Sequence, residues 1–221
     1  MDTKFGFPVV DAQNLDEFIQ KSGLVPWQRI GEPQQLESYL KIHVDSAGQL
    51  LKHIPKFEVT TFLDPDDQPF AGIRYLRSDA VVVFVVLPGD FVVVCAEFKH
   101  GIEEISINLP GGGNLNQKPP VCAVEEVKEE TGLVLSNVQD LSPLGISNDA
   151  SQTPNRTHYF LAKVNREPVL TERNLDAQEF VLPFLMPIKE WLTLIKNNRI
   201  IDGQSVICTF LALSKLNRII P

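Results

Sequence analysis

Between residues 79 and 98 apolar residues run almost without a break, as AVVVFVVL, then Pro88-Gly89-Asp90, then FVVVCAEF. β-branched side chains suit a pleated surface and a Pro-Gly-Asp triplet marks a turn, so two strands are predicted. Neither run alternates with polar residues. Both faces of the sheet should therefore be buried, which requires helices against each side. Elsewhere the period changes. Leu15, Phe18 and Ile19 share one side of a short helix from Leu15 to about Lys21, opened by Asn14. Trp191, Leu192 and Ile195, then Val206, Phe210 and Leu213, predict two amphipathic helices over Pro187 to Lys196 and Asp202 to Leu216. Arg156 to Val164 and the run EFVLPFLM read as strands, and Ser142 to Asn155 as a polar loop. Leu36 to Ile54 supports two readings. Its apolar residues recur at three and four, as in a helix, whereas Asp45, Ser46 and Gly48 suggest a turn between two strands.

The most informative stretch is Leu109 to Leu133, LPGGGNLNQKPPVCAVEEVKEETGL. Three successive glycines allow backbone angles closed to other residues, so a strand can end there and turn sharply. Pro119 and Pro120 suit a first helical turn, whose N–H groups lack partners anyway, and Gly132 supplies the stop. On this helix Glu126, Glu129 and Glu130 share one side, while Val124 and Val127 point elsewhere. Each like-charged pair costs roughly 0.2–0.5 kcal/mol even when exposed. A divalent cation held by carboxylate oxygens would offset that cost; a solvated acidic face is the plain alternative.

Composition narrows the classes. The chain has 221 residues, 43% hydrophobic and 22% charged, enough for one large core. A net charge of −8 argues against nucleic-acid or anionic-membrane partners, though not against a small anionic substrate reached through a metal. No apolar run of about 18 residues and no N-terminal signal pattern occurs, so neither a membrane span nor export is expected. Cys95, Cys122 and Cys208 fit a reducing cytoplasm, with Cys122 and Cys208 expected as buried thiols. The acidic, proline-rich loop Asp64 to Pro69 is read as a surface turn in preference to a cation site.

The spacing from Gly111 through positions 117 and 125 to Glu126, Glu129, Glu130, Gly132 and Leu133 resembles the Nudix box of the Nudix hydrolases. That family cleaves nucleoside diphosphates linked to another moiety with a divalent metal. The resemblance implies an α+β fold, a Nudix-type α/β/α sandwich with a mixed sheet, over residues 76–221, with 1–75 as an N-terminal elaboration for dimerisation or substrate covering. It implies Glu126 and Glu130 as metal ligands, Glu129 as ligand or helper, and Gly111 as a further ligand, with Mg²⁺ or Mn²⁺ as cofactor. Two positions depart from the pattern. Gln117 stands where the box has Glu, and cannot act as a base. Glu125 stands where it has Arg, and is expected to add repulsion where a charged fork would brace a neighbour.

The stretch EFKHGIEEISINLPGGG is similar to the segment before the box in the ADP-ribose and nucleoside-diphosphate-sugar branch, and NDASQTPNRTHYFLA to its substrate-covering loop. That implies Lys99, His100, Asn155 and Arg156, with His158, as contacts to phosphate or sugar. It also implies an extra carboxylate from downstream, Glu172 or Glu179, near Asp176. In this branch Leu36 to Ile54 would be an antiparallel strand pair. The implied partner is a small nucleoside diphosphate derivative, and a homodimer is implied by resemblance alone. A Nudix-fold binding or regulatory module without hydrolysis is the second reading, because of Gln117 and Glu125.

Overall fold

A computed structural model describes residues 2–28, 56–113, 117–175 and 179–218. Leu36 to Ile54 and Asp176 lie outside the described residues. The chain divides into two compact units: Met1–Pro26, Ser78–Asn148 and Arg156–Pro221 form the larger, Trp27–Arg77 and Asp149–Asn155 the smaller. Residues 1–26 thus group with the larger unit. Val10 N–H donates to Leu185 O at 2.8 Å, which fastens this N-terminal arm to the sheet.

The larger unit is a mixed seven-stranded sheet with helices on both faces. Its strands are β5 (Ala80–Leu87), β6 (Phe91–Lys99), β7 (Glu104–Asn108), β8 (Gly111–Gly113), β9 (Gln139–Asp140), β10 (Thr157–Lys163) and β11 (Val181–Pro187); its arm carries the short pair β1 (Thr3–Lys4) and β2 (Phe7–Pro8). The order is β11-β6-β5-β10-β9, with β10 parallel to β5 and the other pairs antiparallel. Gly89 and Asp90 both have positive φ, 84° and 62°, the geometry of a tight hairpin turn that follows the strand twist.

Burial explains the unbroken valine runs. Val82 and Phe84 enter one core together with Val92, Val94, Tyr159 and Trp191, while Val81, Val83, Val85 and Val93 enter another with Ala123, Val127 and Phe160. Each buried side chain of this size is worth roughly 1.5–3 kcal/mol. Leaving either face open would forfeit as much as a whole domain's net stability. Among the described residues four helices cover the faces: α1 (Leu15–Ser22), α3 (Ile188–Lys196) and α4 (Gly203–Lys215) line the first core, and α2 (Pro119–Thr131) the second. None is long and apolar enough to cross a membrane. Cys95, Cys122 and Cys208 are all buried and unpaired.

The smaller unit contains an antiparallel hairpin that the sequence reading passed over, β3 (Lys56–Leu63) and β4 (Pro69–Leu76). Its turn is the acidic loop at 64–69. One oxygen of Asp64 accepts the N–H groups of Asp66 at 2.9 Å and Gln68 at 2.8 Å, so this carboxylate closes a surface turn.

Candidate functional site

Strands β5 and β6 pair only beside their turn, at Val86↔Val92 and Leu87↔Phe91. Further along they separate, and the chain between Glu104 and Gly113 fills the gap, β7 pairing with β6 and β8 with β5. The crossing point is Leu109-Pro110. Leu109 N–H donates to Ser205 Oγ at 2.8 Å, and Ser205 Oγ donates to Asp202 Oδ2, the N-cap of α4, at 2.6 Å. The capping of one helix thereby also fixes the chain that leads into Gly111–Gly113, which form strand β8 and not the expected sharp turn, since none of the three has positive φ.

Two of the glycines are required by contact. A Cβ on Gly111 would lie 2.9 Å from Val82 Cα, against the neighbouring backbone. One on Gly112 would lie 2.5 Å from Glu126 Cδ, so the Glu126 carboxylate rests on bare backbone. Helix α2 follows. Pro119 and Pro120 occupy its first turn, and Gly132, at φ 77°, ends it with its N–H donating to Lys128 O at 2.8 Å. Ala123 and Val127 enter the core. This orientation turns Glu126 and Glu130 towards the glycines.

Glu130 is only 7% exposed, and Oε2 accepts Gly111 N–H at 3.0 Å and the Cys95 thiol at 4.0 Å. Burial first, and then the charge of Glu97, push its carboxyl well above the usual range; Glu126 acts in the same sense, and Gly111 N–H and Lys99 against it. Burial, then Glu130, likewise hold the Cys95 thiol far up, which leaves it a protonated, unreactive group. The arrangement is a pair of carboxylates in a poorly solvated corner, with Lys99 acting against their charge.

The other expected residues are placed as follows. Glu129 is exposed, on the solvent side of α2. Among the described residues no three His, Cys, Asp or Glu side chains form a ready-made metal cage. Gln117 Nε2 donates to both oxygens of Glu125, each at 3.1 Å. The two departures from the motif therefore meet each other, and the repulsion expected of Glu125 is answered by an amide. Lys99, at the end of β6, pairs with Glu97 at 2.6 Å. His100 is exposed in the turn that follows. Arg156 N–H donates to Asp79 Oδ1 at 2.8 Å, next to the start of β5 and hence at the same end of the sheet as β8. His158 Nε2 lies 3.7 Å from Asp79 Oδ2. Asn155 belongs to the smaller unit, where its Oδ1 accepts the Thr153 hydroxyl at 2.6 Å. Glu172 and Glu179 are both exposed.

Three residues of this corner escaped the sequence reading. Glu97 and Asn108 lie on the α2 side of β6 and β7, and Asn108 Nδ2 donates to Glu97 Oε1 at 2.8 Å. The period-2 alternation of Cys95, Glu97 and Lys99 was the available signal. Arg173 donates to Glu130 O at 3.4 Å and to Val181 O at 2.6 Å, a cation at the C-terminal end of α2 where the helix dipole favours it.

No protein-family model matches the chain. A methanol dehydrogenase activator from Bacillus methanolicus is 24% identical to it over 155 residues, 70% of this chain and 82% of that protein. A solved structure of an ADP compounds hydrolase superposes with a TM-score of 0.62 at 17% identity, over 76% of this chain and 90% of that one. This likeness establishes the fold as a Nudix-like α/β/α sandwich.

Proposed function

We propose that the chain is a magnesium- or manganese-dependent hydrolase that cleaves the pyrophosphate bond of a nucleoside diphosphate linked to another moiety, of the ADP-ribose or nucleotide-sugar kind. The observation that carries this reading is the seating of Glu130 on Gly111 N–H and of Glu126 on Gly112, where the sheet splays open. The donors fit the ion. They are hard oxygens, and Mg²⁺ is commonly held by only one or two carboxylates, with waters and substrate phosphates completing its shell. The absence of a three-residue cage among the described residues is consistent with that pattern.

When bound, the ion supplies charge neutralisation at the phosphates and a water of lowered pKa. The chain's own part is binding and orientation. Glu126 and Glu130 hold the ion, and Gly111 N–H fixes which Glu130 oxygen is turned inward. Glu129 serves as helper from the solvent side. Lys99 and Arg156 meet phosphate, His100 the sugar, and Glu172 or Glu179 supplies the carboxylate that orients the attacking water. A homodimer through residues 1–75 rests on the family resemblance alone, and a cytoplasmic site of action on the three free thiols.

A second reading, a nucleotide-binding or regulatory module without turnover, is favoured by the Gln117–Glu125 pair and by the likeness to a protein named as an activator. A panel of nucleoside diphosphate derivatives assayed with Mg²⁺ or Mn²⁺ separates the two. The hydrolase reading expects release of two monophosphate products from ADP-ribose or a nucleotide sugar, abolished in Glu130→Gln. Ligands that raise the melting temperature with no products formed would instead select the module.

A further inference from the structure

On the α2 side of the sheet, β6 presents Cys95, Glu97 and Lys99, opposite Asn108, Ser106 and Glu104 of β7. The other side of the same strands is apolar, with Val94, Ala96 and Ile107 in the core. Lys99 has an exposed carboxylate as its cross-strand partner, Glu104, yet its ammonium turns inward to Glu97 Oε1 at 2.6 Å. The Glu97 side chain is only 13% exposed. The same Oε1 accepts Asn108 Nδ2 at 2.8 Å, and Asn108 is 5% exposed. The amide orientation is dictated by that carboxylate, because turned over it would set oxygen against oxygen. Among the described residues none donates to the buried Asn108 Oδ1.

We propose that Glu97, which lies outside the glycine-helix motif, is a positioning residue: clamped by Asn108, it holds the Lys99 ammonium at the rim of the acidic corner to receive a phosphate oxygen of the nucleoside diphosphate. The inference rests on the nucleotide reading given above. A free lysine carries large rotamer entropy that phosphate binding would have to remove, whereas a tethered one has already lost it. Glu97 engages one of three ammonium donors, and two remain for phosphate.

The test uses the full chain, with calorimetric binding of non-cleavable α,β-methylene-ADP in Mg²⁺, steady-state turnover of ADP-ribose, and thermal melting of each variant. Glu97→Leu and Lys99→Met should each weaken binding about tenfold, and the double variant no more than Lys99→Met alone. Glu97→Gln, which keeps an acceptor oxygen, should stay within about threefold of wild type and raise KM more than it lowers kcat. Where Glu97→Leu does not fold, Asn108→Leu is read in its place, and it should weaken binding at least about threefold. Unchanged or tighter binding in the Glu97→Leu or Asn108→Leu variant overturns the inference, as do losses that multiply in the double variant. If wild type neither binds α,β-methylene-ADP nor turns over ADP-ribose, the nucleotide reading itself fails and takes this one with it; binding and turnover with an indifferent Glu97 sinks only this one.

Discussion

Replacing Gly112 by alanine should move one carboxylate while leaving the sheet in place. The added Cβ would stand 2.5 Å from both Cδ and Oε1 of Glu126, against an ordinary contact of at least 3.4 Å, so the carboxylate must retreat by the difference, 0.9 Å. The obstacle is the far end of a flexible side chain. Turning it aside costs about 0.5–1.5 kcal/mol if it leaves a rotamer well, too little to unfold the domain. A misplacement of about 1 Å in a positioned catalytic group can cost roughly 100-fold in rate. For Gly112→Ala we therefore expect kcat for ADP-ribose hydrolysis in Mg²⁺ to fall by about two orders of magnitude. The melting temperature should drop by no more than about 3–6 °C, since 1 kcal/mol shifts a domain of 150–250 residues by about 2–4 °C. Gly111→Ala is the contrast, because its Cβ meets the backbone of β5, which has nowhere to go. That variant should lose stability before anything else. A Gly112→Ala protein that melts like wild type and keeps kcat within threefold would refute the placement of Glu126 in the working site.

Other consequences are more quickly stated. Because burial and Glu97 raise the Glu130 pKa, the folded chain holds that proton more tightly than the unfolded one. The stability this lends is fully present below the unfolded value and is lost as pH rises through the raised one; in metal-free buffer Glu130→Gln should therefore melt above wild type at neutral pH, and an equal or larger margin at pH 4 would contradict the sign. Gln117→Glu with Glu125→Arg replaces a neutral amide contact by a two-pronged ion pair at the same place, and kcat should rise; no turnover before or after would favour the binding module. Gly132→Ala forces a Cβ to 2.5 Å from Thr171 O at φ 77°, and chemical denaturation should show a loss of at least about 1 kcal/mol.

The parts of the fold legible in the sequence were those written in local period. The two valine runs announced a sheet buried on both faces, and the spacing of Leu15 with Phe18 and of Trp191 with Ile195 announced helices. The glycines and the glutamates after them lie close in the sequence, and a short strand followed by one helix suffices to set Glu126 against Gly112 and Glu130 against Gly111. What stayed hidden depends on pairing between distant segments. Glu97 acquires meaning only when β7 is laid beside β6 and Asn108 reaches it, and Arg173 only when its loop docks at the end of α2. The hairpin at 56–76 had the β-branched and aromatic residues of a strand pair around an Asp-Pro turn, but its polar tip drew the reading to the loop instead. Residues 1–26 join the larger unit through Val10, Leu15 and Phe18 in its first core and through the bond from Val10 to Leu185, contacts between distant segments that no local pattern encodes.

The account's central claim is that two carboxylates on α2, seated against the glycines of β8, hold a divalent cation for a nucleotide. Manganese titration followed by electron paramagnetic resonance, with α,β-methylene-ADP present, tests it most directly. Saturable uptake by wild type that disappears in both Glu126→Gln and Glu130→Gln is the predicted result. No uptake by wild type, or equal uptake by the two variants, would contradict it.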